Sequence, residues 1–86
     1  MANNGSGSTK VVLPIHVLLE LLSKEDKSMS VKELCARFNV EPKAMFKILD
    51  ILLRRGLIVL SSNRNHVKLT GIAILYLKDL KEVLTS

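Results

Sequence analysis

From Pro14 onward, apolar and polar residues recur with a helical period. On a helical wheel Ile15, Leu18, Leu19 and Leu22 share one side, and His16, Glu20, Ser23 and Lys24 share the other. Pro14 suits a first helical position, where its missing N–H has no partner to lose. The spacing predicts an amphipathic helix of about ten residues that ends in the polar run from Lys24 to Ser28. Ser30 and Glu33 have the three-residue separation of a capping box, so a short helix starts there. Leu34, Cys35 and Phe38 form its inward side, Asn39 is a left-handed residue that closes it, and Val40 is a buried turn residue. A third helix opens at Glu41-Pro42 and spans 42–55, with Met45, Ile48, Leu49 and Leu52 as its apolar stripe. Gly56 stops it.

The period then shortens. Leu57 to Leu60 is β-branched and short enough for a strand, and Val67 to Leu69 supplies a partner. The polar run from Ser61 to His66 makes the pair a hairpin. Thr70 caps a last helix that extends to about Leu84. The order is therefore helix, helix, helix, hairpin, helix: a mostly α fold with a small β-hairpin. Residues 1–10, rich in Gly, Ser and Asn, read as a disordered tail, and 11–86 as a single domain.

The stretch from Ser30 to Ile58 resembles the helix-turn-helix of winged-helix regulators. The resemblance is carried by Leu34 and the small Cys35, by Asn39 and Val40 in the turn, and by Met45 and Leu49 in the following helix. It continues through Leu52, Gly56, Leu57 and Ile58, then the hairpin and the Leu69-Thr70 entry to a final helix. Small archaeal and bacterial regulators, including the multiple-antibiotic-resistance type, share this outline. The resemblance implies a winged helix-turn-helix fold and double-stranded DNA as partner. It makes 42–55 the recognition helix in the major groove and 61–66 the wing, on the minor groove or backbone.

Charge sharpens this reading. The net charge is +5, and residues 41–69 alone carry six basic against two acidic side chains, a net of +4. Lys43 and Lys47 lie one turn apart on the polar stripe, where they can reach guanine edges or phosphates. Arg54, nearer the helix end, is placed to touch the backbone. Ser30 and Lys32 can offer amide groups and an ammonium to a phosphate at the start of the preceding helix. Asn63, Arg64 and Asn65 form the wing tip. Phe46 flanks the basic stripe, where it can contact a thymine methyl, bind a protein, or be buried against the wing or the N-terminal arm.

Enzymatic chemistry finds no footing. A single cysteine excludes an internal disulfide and any Cys/His zinc spacing, so no metal or cofactor is expected. His16 and His66 are far apart, and Glu20 with Glu25 or Asp26 reads as a solvated acidic cluster. No Gly-rich phosphate loop occurs, and no apolar pocket for an effector is legible. The lone Cys35 fits a reducing compartment and no segment is long enough for a membrane span, so a cytoplasmic, DNA-associated protein is expected. The alternative is a winged-helix protein-interaction module of a replication, transcription or membrane-remodelling assembly.

The last helix carries more apolar surface than one small core needs. Ala73, Leu77, Leu80 and Leu84 have the spacing of an a/d seam, with Tyr76 beside it, and predict a homodimer through this helix. The competing expectation is that the first helix covers the whole apolar arc.

Overall fold

A computed structural model describes residues 12–85. The expected tail, residues 1–10, lies outside them. The chain forms α1 (Pro14–Ser23), β1 (Ser28–Ser30), α2 (Val31–Phe38), α3 (Pro42–Arg54), β2 (Ile58–Leu60), β3 (His66–Leu69) and α4 (Gly71–Thr85). Three helices followed by a hairpin and a final helix is the winged helix-turn-helix architecture that the sequence predicts.

The hairpin belongs to a larger sheet. β1, a strand the sequence does not announce, joins it to give three antiparallel strands in the order β1-β3-β2. The register pairs Met29 with Val67 and Ser30 with His66 on one side of β3, and Ile58 with Leu69 and Leu60 with Val67 on the other. Val67 and Leu69 alternate inward and are buried, while His66 and Lys68 alternate outward. Two backbone bonds extend the β1–β3 ladder: Val31 N donates to Asn65 O at 2.7 Å, and Leu69 N donates to Lys27 O at 3.0 Å. The second helix therefore leaves directly from a strand anchored beside the wing.

Every element contributes to one core. Val17, Leu18 and Leu21 of α1, Leu34 of α2, Met45, Leu49 and Leu52 of α3, Ile58, Val67, Leu69, and Ala73 and Leu77 of α4 meet in it. Cys35, Phe38, Val40 and Ile48 pack partly buried around its edge, so Val40 is less enclosed than expected. At the start of α1, Leu13 N donates to His16 Nδ1 at 3.1 Å, an N-terminal cap made by an imidazole.

Two wheel readings need correction. The buried side of α1 is centred on Val17, Leu18 and Leu21, and Leu19 is 42% exposed. That helix is apolar nearly all round, so the wheel alone does not fix which arc the core takes. In α4, Ala73 and Leu77 are fully buried within their own chain, against α1. They cannot be surface residues of a seam with a second copy. Leu80 is half-buried, and Tyr76 and Leu84 are exposed. The first helix covers part of the apolar arc and leaves the rest outside.

The turns follow their expected chemistry. Asn39 sits at φ 55°, ψ 49°, a left-handed cap whose amide donates to Ala36 and Cys35 carbonyls. Gly56 sits at φ +71°, where α3 gives way to β2. Thr70 then latches α4 to this turn. Its Oγ1 donates to Gly56 O at 2.9 Å and accepts from Ala73 N at 3.2 Å.

The Gly56 conformation yields a test. A Cβ built there meets nothing within 4 Å, so the penalty for a larger residue comes from the backbone angle and not from a clash. Gly56→Val should cost on the order of 1–2 kcal/mol, because branched residues resist the left-handed region. Gly56→Asn, which tolerates that region, should cost clearly less. Thermal melts of the two variants check this, and equal melting temperatures would count against it.

Candidate nucleic-acid interface

The site grows from α3. Its apolar stripe is sunk in the core, which fixes the opposite stripe outward: Lys43 and Lys47 are exposed and carry no ion pair among the described residues. Arg54 and Asp50 share that stripe but engage each other, Arg54 Nη2 to Asp50 Oδ2 at 2.6 Å. An acid four residues before a base is the favourable order on a helix. Arg54 is thus paired within its own helix while remaining 76% exposed, and Arg55 adds an exposed cation with no ion pair among the described residues at the helix end.

The wing is a built turn. Ser61 Oγ donates to Asn63 Oδ1 at 2.7 Å and accepts from the amides of Asn65 and His66 at 3.2 and 3.0 Å. Asn63 Oδ1 also accepts from Asn65 N, and Arg64 N donates to Ser61 O at 2.8 Å. Ser61 and the Asn63 carbonyl oxygen are therefore used to shape the tip. Arg64 occupies the left-handed region at φ 59°. From there its guanidinium lies over the Phe46 ring, 5.2 Å from the centroid. Such a contact is worth about 0.5–1 kcal/mol at an exposed site and more where water is excluded.

This contact puts the Phe46 ring against the wing. The ring is half-buried, packs on the core edge, and carries the wing's arginine on its outer side. The ring thus packs partly buried against the wing, and its remaining surface stays beside the basic stripe. Phe46 precedes Lys47 on α3, so the contact ties the wing's arginine to a ring that flanks the basic stripe.

The start of α2 is less open than expected. Glu33 N donates to Ser30 Oγ at 3.0 Å, Ser30 N donates to Glu33 Oε1 at 3.2 Å, and Val31 N is taken by Asn65 O. The capping box and the strand thus consume the amides that were expected to meet a phosphate. Lys32, the next residue, is exposed.

Other groups are structural. Glu20, expected to be solvated, pairs with Arg37 Nε at 3.2 Å and ties α1 to α2, with only 17% of its side chain exposed. Asp26 Oδ1 accepts from Ser28 N, and the Ser28 hydrogen bonds hold its carboxyl below the usual range. Burial pushes the Cys35 thiol up, which keeps it protonated at neutral pH. Among the described residues no group of His, Cys, Asp and Glu could hold a metal ion. No described helix is long and apolar enough to cross a membrane.

Residues 17–69 match the family model described as FeoC-like transcriptional regulator. The chain belongs to this family. The match runs from within α1 to the end of β3, so the FeoC-like region contains the helix-turn-helix and the whole wing, and α4 follows it. A transcriptional-regulator family is not an enzyme class, in keeping with the lack of catalytic groupings in the sequence. Among curated proteins, none matches the chain.

The capping box supplies a pH test. Both Ser30 hydrogen bonds lower the pKa of Glu33. A carboxyl whose pKa is lowered on folding stabilises the protein at neutral pH, and that contribution is lost as pH falls through the lowered value. Glu33→Gln retains a hydrogen-bond acceptor but cannot titrate. The difference in melting temperature between wild type and Glu33→Gln should therefore be largest near pH 7 and shrink toward pH 3. A difference that stays constant over that range would contradict the assignment.

Proposed function

We propose that this protein is a duplex-DNA-binding transcriptional regulator. Its recognition helix, 42–55, enters the major groove, and its wing, 61–66, lies on the adjacent backbone or minor groove. One observation carries the reading: Arg64, folded onto Phe46, adds the wing's cation to the Lys43 and Lys47 face of α3. Lys32, exposed in the first turn of α2, is assigned to the backbone as a further cation. Membership of a regulator family supports the reading, and the net +4 of residues 41–69 supplies the attraction to phosphate.

In this reading Lys43 and Lys47 face the bases, and Arg64 and Lys32 face the backbone. Arg54 contributes little while Asp50 holds it. Asn65 has an exposed side chain at the wing tip, and Asn63 shapes that tip through Ser61 and the Asn65 amide. The protein-interaction alternative draws its force from a bare aromatic beside the basic stripe. With Phe46 in contact with Arg64 the aromatic is less bare, while Glu41 and Asp50 still dilute the charge of the stripe.

Lys47→Ala should weaken binding to a preferred duplex by roughly 1–3 kcal/mol and relax the base preference it reads. Arg64→Ala should weaken all duplexes alike and reduce the salt slope by about one. Phe46→Leu keeps an apolar contact with the core but removes the ring under Arg64. It should reproduce much of the Arg64→Ala loss with little change in melting temperature. Fluorescence anisotropy on a specific and a random duplex reads all three. Unchanged binding in the Lys47→Ala/Arg64→Ala double variant would reject the DNA reading of both elements.

A further inference from the structure

Outside the FeoC-like region, α4 has a second apolar stripe that its own core does not use. Ile72 is 73% exposed and Tyr76 54%, and Val83 is exposed on the same side, with Asp79 between the last two. The separations of four, three and four residues are those of an a/d seam, which suits another helix. Ile72 and Tyr76 also wall an open hollow of about 530 Å3, completed by Leu57 and by the cationic Arg55 at the end of the recognition helix.

The stripe is complementary to itself. Laid antiparallel against a copy about a two-fold axis, Ile72 faces the partner's Val83, and Tyr76 faces the partner's Asp79. Each contact then occurs twice, as a closed two-fold interface requires. The charges agree as well. Arg55 and Asp79 carry no ion pair among the described residues. The pairing brings one copy's Asp79 to the Tyr76 wall of the other's hollow, where Arg55 stands.

We propose that a second copy of this chain occupies this stripe in antiparallel orientation. The Tyr76 hydroxyl donates to the partner's Asp79 carboxylate, and Arg55 pairs with that same carboxylate across the hollow. The seam differs from the one that spacing alone picks out, because Ala73 and Leu77 belong to the monomer's core. The interface spans residues 72–83, about 16 Å of helix, so the association is of the weak, reversible class. A two-fold axis through α4 pairs two recognition helices, which suits a palindromic site. The association itself needs no DNA and is tested without it.

The test is sedimentation equilibrium of the full chain at roughly 0.1–0.5 mM, a range suited to small interfaces, with circular dichroism to confirm folding. Wild type should sediment as a dimer. Arg55→Glu alone and Asp79→Arg alone should each sediment as monomers, because each homodimer would juxtapose like charges. Mixed in equal amounts, the two variants should recover a dimer. The introduced glutamate of one then faces the introduced arginine of the other, and the unchanged Arg55 and Asp79 face each other at the second contact. A monomeric wild type overturns the proposal. So does a mixture that stays monomeric while both variants remain folded, or single variants that dimerise as well as wild type.

Discussion

β3 is the constraint on which the rest depends. It is four residues long, it pairs on both edges, and two of its side chains, Val67 and Leu69, are sunk in the core. A slip of one residue would turn both outward and bring His66 and Lys68 inside, so burial fixes the register without ambiguity. One register then sets two things at once. Through β2 it sets the shape of the wing, and through β1 and the Val31–Asn65 bond it sets where α2 begins. The helix-turn-helix and the wing are therefore positioned by the same strand.

That shared origin explains how a short chain offers a composite basic surface. The core holds the apolar stripe of α3 and thereby orients Lys43 and Lys47. The Ser61–Asn63 network holds the tip so that Arg64 points back to the helix and not away from it. Phe46 joins the two parts: it is anchored at the core edge and presents its outer side to the guanidinium. Ion pairs elsewhere trim the surface. Asp50 pairs with Arg54 and Glu20 with Arg37, which partly offsets two of the outward cations although both arginines stay mostly exposed.

The legibility of this structure follows the strength of local signals. The capping box at Ser30 and Glu33, the left-handed residue at Asn39, and the stop at Gly56 each carry a side-chain requirement, and each stands where the sequence predicts it. The apolar stripe of α3 has polar residues opposite it, so its inward side is readable. α1 and α4 lack that contrast, which is why wheel spacing misplaces Leu19 and the pair Ala73 and Leu77. β1 is Ser-Met-Ser, with no run or alternation long enough to announce a strand. It is a strand only because β3 offers it an edge. The resting place of Phe46 depends on the backbone angle of Arg64, far along the chain, and no local pattern encodes such a distance.

The proposed function turns on Lys32, Lys43, Lys47 and Arg64 meeting the same duplex. The most direct measurement is the salt dependence of binding to a random duplex. If Lys32 and Arg64 displace condensed counterions from the backbone, log K should fall against log salt with a slope of about −2 per protomer. A slope near zero, or no binding at low salt, would contradict the account.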